Sequence, residues 1–78
     1  MAQTKQHITV TAFWDAEASV WVAESADVPG LITEAATLEA LSTKLEAMIP
    51  ELLEANGSSL PLNAQIHLEA QRELHLVA

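Results

Sequence analysis

The sequence predicts an α+β domain with the element order β-β-β-α-β. Residues 7–14 alternate apolar and polar side chains, residues 38–53 carry apolar side chains every three or four positions, and residues 64–78 alternate again. A turn at residues 27–31 stands where the first pattern gives way to the second. We therefore expect an antiparallel meander of three strands, with one helix on one face. The fourth strand is expected beside the first and parallel to it, in the strand order 3-2-1-4.

The first two strands are predicted to form a hairpin. The first covers residues 7–14, where β-branched and aromatic side chains dominate. The connection Asp15–Ala18 has no glycine, which favours a four-residue loop around a type I turn. The return strand is predicted at residues 19–25. It carries Val20 and Val22 on one face and Trp21 on the other, so we expect it inside the sheet.

The segment Asp27-Val28-Pro29-Gly30-Leu31 predicts a type II turn. Pro29 fixes φ for the second position, and Gly30 supplies the positive φ that the third position requires. Asp27 is placed to accept hydrogen bonds from backbone N–H groups two residues further on. A short third strand is predicted at residues 31–34.

The helix begins with Thr37 as N-cap and has Glu39 at the positive end of its dipole. The pair Asn56-Gly57 predicts its end. Pro50 lies in the interior, so we expect either a kink or a break after which Pro50 opens a second short helix. The apolar stripe should pack against Ile8 or Val10 of the sheet, and the helix residues expected to be buried there are Leu41, Leu45, Met48 and Leu52.

The C-terminal alternation is too long for one strand of a small domain. After a loop at residues 58–61, an unbroken strand from residue 64 to 78 would span about 50 Å, whereas a compact chain of this length has a radius of gyration of about 11–12 Å. The strand should therefore bend near Arg72 or leave the domain. We predict a homodimer in which residues around Leu74 to Val77 pair with a second chain, which buries Leu74 and Leu76 and brings Arg72 near acids of the other subunit. The alternative is a bend at Arg72 that folds the strand back on its own sheet.

Composition excludes several classes of function. The chain has 78 residues, half of them hydrophobic, and no cysteine, so disulfides and thiolate metal sites are excluded and packing against another chain is the expected supplement to a thin core. Eleven acids against three lysines and arginines give a net charge of −8, which repels nucleic acid. This charge fits a basic protein partner or solubility alone. No membrane span or signal sequence is evident, so we expect a cytoplasmic protein.

No arrangement of residues predicts catalysis. Asp15 and Asp27 fall at opposite ends of one strand, too far apart for an acid–base pair. His67 and His75 are too distant along one strand to share a metal, and no serine stands in a nucleophile motif. We therefore expect a protein that is not an enzyme and uses neither metal nor cofactor.

The two tryptophans lie on neighbouring predicted strands, and the pattern does not assign both to the face that the helix covers. An aromatic side chain on the opposite face would need another cover. The sequence gives equal support to Trp21 as a core residue and as an interface residue.

The combination of these pieces resembles a known family. A return strand Val20-Trp21-Val22-Ala23, the Asp-Val-Pro-Gly-Leu turn and the helix start Thr37-Leu38-Glu39-Ala40-Leu41 are similar to the N-terminal domain of HicB-type antitoxins. They resemble more closely the small domain-of-unknown-function families grouped with HicB. The similarity covers roughly residues 7–56. Where the family often has glycine before the helix threonine, this chain has Ala35-Ala36.

The resemblance implies a partial RNase H-like fold without catalytic residues and a protein-binding role in a toxin–antitoxin system. Such a protein would sequester a small basic ribonuclease toxin. The alternative is a stand-alone homo-oligomeric domain. We expect one HicB-like domain over residues 1–78 with no appended DNA-binding segment, so repressor activity is not implied. The candidate partner-binding residues are Trp21, Glu24, Asp27 and Pro29, and the candidate dimer-interface residues are Arg72, Leu74 and Leu76.

Overall fold

The computed structural model describes residues 7–58 and 64–77. Its elements are β1 (His7–Asp15), β2 (Val20–Glu24), β3 (Ile32–Ala35), α1 (Leu38–Ala55) and β4 (Gln65–Gln71). The four strands form one sheet in the order β3-β2-β1-β4, antiparallel from β3 to β1, with β4 parallel to β1. The predicted fold class, strand order and internal position of β2 are confirmed. The N-terminal six residues and most of the predicted loop at residues 58–61 lie outside the described residues.

The hairpin loop lies one residue later than predicted. Asp15 still pairs with Val20, so the four loop residues are 16–19. The Asp15 carboxylate accepts hydrogen bonds from the backbone N–H groups of Glu17 and Ala18, at 3.1 and 3.2 Å. Ser19 closes the loop with φ of 56°, a left-handed conformation that ends the loop and delays the start of β2.

The turn between β2 and β3 has the predicted geometry. The Leu31 N–H donates to the Val28 carbonyl at 3.1 Å, and Gly30 between them has φ of 85°. This bond and this φ value define a type II turn with Pro29 at its second position. Leu31 is buried as the last turn residue, so β3 begins at Ile32.

Both ends of α1 are capped as predicted. The Thr37 hydroxyl oxygen accepts the Ala40 N–H at 3.0 Å. At the other end Gly57 has φ of 78°, and the N–H groups of Gly57 and Ser58 donate to carbonyls of the last turn at 3.0 and 2.8 Å. This pair of bonds is a Schellman motif, which satisfies carbonyls that the helix cannot pair internally.

The helix is continuous through Pro50, so the predicted break is wrong. The Pro50 ring is exposed, whereas Ile49 and Leu53 on either side are buried and hold the helix on the sheet. A kink at Pro50 stays a prediction. In the described part of the chain, no helix combines the length and the apolar character needed to cross a membrane.

The core lies between α1 and one face of the sheet. Burial of Leu41 and Leu45 is confirmed, but Met48 and Leu52 are only half-buried. The buried residues of α1 are spaced four apart, because residues i and i+4 lie on the same side of a helix and this side faces the sheet. No polar side chain among the described residues is buried. The buried helix residues are Leu41, Leu45, Ile49 and Leu53, and the residues buried opposite or beside them are Ile8, Val10, Ala12, Ala23, Val28, Leu31 and Ala35.

Candidate protein-binding surfaces

One face of the sheet carries an apolar patch that no described element covers. Strand register places Glu24 beside Ile32, and in the next row Val22 stands between Glu34 and Phe13. Phe13 is 40% exposed, Ile32 is 69% exposed and Val22 is half-buried. We call these five residues the open-face patch. It combines three apolar side chains with two flanking carboxylates, because the side chains of alternate residues share one face of a strand.

The β4 part of the same face is polar. His67 lies 3.4 Å from Glu69, measured between the imidazole Nε2 and a carboxylate oxygen, and both side chains are more than half exposed. Glu69 adds a third carboxylate to this face. Within residues 7–58 and 64–77, no three histidine, aspartate or glutamate side chains cluster as metal ligands do.

The two tryptophans face each other across β1 and β2. Trp14 pairs with Trp21, and their ring centroids are 5.3 Å apart with an interplanar angle of 63°. Cross-strand partners share a face, and this is the face that α1 covers, where Trp21 packs against the core. The aromatic residue on the opposite face is Phe13. Only strand register settles this point, since alternation within one strand does not align it with the next.

Arg72 extends the tryptophan row beyond the end of β4. The β1–β4 pairing ends with Phe13 opposite Gln71, so Arg72 follows at the position beside Trp14. Its guanidinium carbon lies 4.4 Å from the centre of the Trp14 ring. This distance is within the range of a cation–π contact. Arg72 therefore contacts a residue of its own chain, and its place near acids of a second subunit stays a prediction.

Residues 72–77, here called the C-terminal segment, leave the sheet. They have no regular secondary structure, which confirms the interruption predicted near Arg72. Leu74, Leu76 and Val77 are 79%, 100% and 94% exposed. The alternative in which the strand folds back on its own sheet is wrong, because that arrangement would cover the two leucines.

A side-chain network replaces the strand ladder where β2 ends. The Asp27 carboxylate accepts the Thr9 N–H at 2.9 Å, and the Ser25 hydroxyl donates to the Thr9 carbonyl at 2.5 Å. The Asp27 N–H in turn donates to the Ser25 hydroxyl oxygen at 3.1 Å. The prediction that Asp27 bonds the N–H two residues on is wrong, since proline stands there and has no N–H. Asp27 instead joins the turn to β1.

Comparison with known proteins adds a family to this geometry. The family model described as "Domain of unknown function (DUF1902)" matches residues 7–78, a range that spans all five elements. The chain belongs to the DUF1902 family. The expectation of a small domain-of-unknown-function family is thereby confirmed.

This DUF1902 protein is also similar to a solved structure. The crystal structure of hypothetical protein TTHA1013 from the extremely thermophilic bacterium Thermus thermophilus has 60% sequence identity and a TM-score of 0.79. The match covers 90% of this chain and 99% of that one. No curated protein matches. Neither the DUF1902 family nor the Thermus protein is described as catalytic.

The four candidate partner-binding residues of this DUF1902 domain do not form one site. Trp21 lies on the helix-covered face near the hairpin, and Asp27 is committed to Thr9. Pro29 is exposed in the turn, where its carbonyl accepts a hydrogen bond from Asn56 Nδ2 at 3.1 Å. Only Glu24 belongs to the open-face patch. The sequence did not predict that Phe13, Val22 and Ile32 form one patch. The large side chains on both faces of β2 were the one indication that the second face is apolar.

The surface of the domain is acidic because carboxylates far outnumber cations, and the two described cations contact neutral groups. All eleven acids lie within the described ranges, and Lys44 and Arg72 are the two lysine or arginine residues there. The Lys44 ammonium donates to the backbone carbonyl of Glu34 at 2.6 Å, and Arg72 lies over Trp14. The carboxylates of the open-face patch therefore remain available to a positively charged partner.

Proposed function

We propose that this protein is a non-enzymatic binding module that sequesters a small basic protein on its open-face patch. In this respect it would resemble a HicB-type antitoxin, whose partner is a small basic ribonuclease toxin. The observation that carries the proposal is the patch itself. Phe13, Val22 and Ile32 are apolar and accessible on an uncovered sheet face, and carboxylates stand among them.

The chemistry of the patch matches that of a specific protein interface. Such interfaces have an apolar centre surrounded by a polar rim. Single exposed apolar residues are common on any protein surface and do not indicate an interface. A depression of about 290 Å³ borders Val22 and Ile32 and has room for a side chain of the partner. Glu24 and Glu34 flank the apolar residues and would pair with lysine or arginine on the partner.

Net charge supports the choice of a basic partner. A charge of −8 on a small domain attracts a basic protein over long range and raises the association rate. The same charge opposes binding to nucleic acid. A non-catalytic role fits the separation of the carboxylates, because Asp15 and the Asp27–Thr9 bond lie about 20 Å apart along β1.

The test is to look in the neighbouring reading frames for a small basic protein and to measure its binding to the full chain by isothermal titration calorimetry. Glu24→Lys should weaken binding at least tenfold, because it places a positive charge in the patch. Glu51→Lys is the matched control, since it makes the same charge change on the exposed side of α1. Equal binding by both variants, or no binding at low salt by the unmodified protein, would reject the proposal.

The alternative function, a stand-alone homo-oligomeric domain, has its own supporting observation. Leu74 and Leu76 of the C-terminal segment are largely exposed, and the segment continues from β4, which is an edge strand of the sheet. Self-association and partner binding use different surfaces, so one does not exclude the other.

A further inference from the structure

The two edges of the sheet are protected very differently. The β3 edge has four residues, and the Lys44 ammonium occupies the carbonyl of Glu34. The β4 edge has seven residues, Gln65–Gln71, with no lysine and no proline among them. Natural proteins commonly protect a long edge with such residues or pair it with another strand. The β4 edge is therefore the one suited to pairing.

The C-terminal segment continues the apolar row of β4 beyond the sheet. Leu68 and Ala70 lie on the helix-facing side of β4, and Leu74 and Leu76 follow at the same alternation. Because β1 ends at Asp15, most of this segment has no strand beside it within its own chain. Its leucines are almost fully accessible. An extension of β4 through this segment would give one continuous strand with an apolar side and a polar side.

We propose that this extended strand pairs with the same strand of a second copy. β4 and the C-terminal segment of each chain would run antiparallel across a two-fold axis and join two four-stranded sheets into one of eight strands. A stable interface buries about 800 Å² of accessible surface on each partner. The C-terminal segment alone is too short to bury this area, so the pairing includes β4. This inference does not depend on the proposed binding of a basic protein.

Side-chain complementarity selects the register centred on Arg72. In that register Leu68 stands opposite Leu76 of the second copy and Ala70 opposite Leu74, so the apolar sides coincide. On the other side Glu69 stands opposite His75. Each Arg72 guanidinium is turned back onto Trp14 of its own chain, which separates the two cations at the axis.

Neighbouring registers bring like charges together. A register centred on Gln71 places Glu69 opposite Glu73, and one centred on Glu73 places that residue opposite itself. Directly opposed like charges destabilise a strand pair. A register centred on Ala70 places Leu76 opposite Ala64, which lies outside β4. The register centred on Arg72 opposes no two carboxylates, and its one like-charged pair is the two Arg72 side chains, each turned back onto Trp14 of its own chain.

Sedimentation equilibrium on the full chain at tens of micromolar tests the dimer. The unmodified chain should be a dimer, and the double variant Leu74→Glu, Leu76→Glu should be a monomer with an unchanged circular dichroism spectrum. Ala47→Glu is the control and should remain a dimer, because it places the same acid at an exposed apolar position of α1 outside both proposed surfaces. A monomeric unmodified chain, or a double variant that remains dimeric, overturns the proposal.

Salt dependence separates this association from the binding of a basic protein. Two chains of charge −8 repel each other, so added salt should strengthen the dimer by screening that repulsion. Binding of a basic partner should weaken under the same change. A dimer that dissociates as salt is raised would contradict pairing through apolar side chains.

Disulfide trapping tests the register, and the chain is suited to it because it contains no cysteine. The double variant Glu69→Cys, His75→Cys should form a covalent dimer on mild oxidation. Within one chain these positions are about 20 Å apart along an extended strand, which is too far for a disulfide. Each single-cysteine variant should remain uncrosslinked. Equal crosslinking by either single variant would reject the register centred on Arg72.

Discussion

The Arg72 guanidinium carbon lies 4.4 Å from the centre of the Trp14 ring, immediately beyond the last paired residues of β1 and β4. Trp14 in turn contacts the edge of Trp21, so a row of three side chains crosses β2, β1 and the end of β4. The row lies on the helix-facing side of the sheet, where the C-terminal segment begins. The contact with Trp14 therefore holds the first residue of that segment against the sheet.

Removing the cation should loosen this row. We expect Arg72→Gln to lower the free energy of unfolding by about 0.5–1 kcal/mol, the contribution of an exposed cation–π contact. Urea unfolding followed by tryptophan fluorescence measures the change. Lys44→Gln removes the same charge from a side chain that bonds the Glu34 carbonyl and lies over neither tryptophan ring, so it should leave the native emission maximum unchanged. Identical emission from native Arg72→Gln and the unmodified chain would contradict the contact.

Leu45 is 2% exposed and lies in the centre of the buried row of α1. Leu45→Ala should cost about 2–5 kcal/mol, because a cavity remains where the side chain was lost. This is a large part of the stability of so small a domain. Leu52→Ala is the matched comparison and should cost less, since Leu52 is only half-buried. A loss below about 1 kcal/mol at Leu45 in denaturant unfolding would show that the helix face is misassigned.

Gly30 holds φ of 85°, a conformation that β-branched residues avoid. Gly30→Val should destabilise the domain by at least about 1–2 kcal/mol. The cost is one of backbone conformation, because an added Cβ would meet nothing closer than Leu52 Cδ2 at 4.0 Å. Gly30→Asn should be tolerated better, since asparagine adopts positive φ more readily. Equal thermal midpoints for the two variants would argue against the type II turn.

Asp27 supplies the acceptor for the Thr9 N–H. Asp27→Ala should cost about 1–3 kcal/mol, because it leaves a partly buried donor without this acceptor. Asp27→Asn retains an acceptor oxygen and should cost less. Hydrogen exchange of the Thr9 amide provides the local readout, and it should be fastest in the alanine variant. Unchanged exchange in Asp27→Ala would mean that this bond does not hold β1 to the turn.

Pro50 interrupts the hydrogen-bonding of a helix that nevertheless continues to Ala55. Pro50→Ala should therefore stabilise the domain, by up to about 3 kcal/mol, because it restores a backbone donor and removes the crowding of the preceding turn. Glu51→Ala is an adjacent exposed substitution that should change stability little. A Pro50→Ala variant less stable than the unmodified chain would indicate that the proline ring contributes to packing.

Local physical chemistry determined much of the fold from the sequence. The two periods of the apolar pattern, 2 and 3.6, are set by backbone geometry, so the types and order of the elements could be predicted. The Pro29-Gly30 turn, the Thr37 cap and the Asn56-Gly57 stop each depend on residues within one or two turns of chain. Their geometry was therefore predictable without knowledge of distant residues.

Tertiary structure alone decided which distant residues meet. Strand register places Trp14 opposite Trp21 and gathers the open-face patch from three strands, and no pattern within one strand specifies that alignment. The bond from Thr9 to Asp27 spans 18 positions in sequence, so turn chemistry did not reveal it. The buried row of α1 was settled by which side of the helix packs on the sheet. Each of these depends on long-range packing, whereas the elements themselves depend on neighbours in the chain.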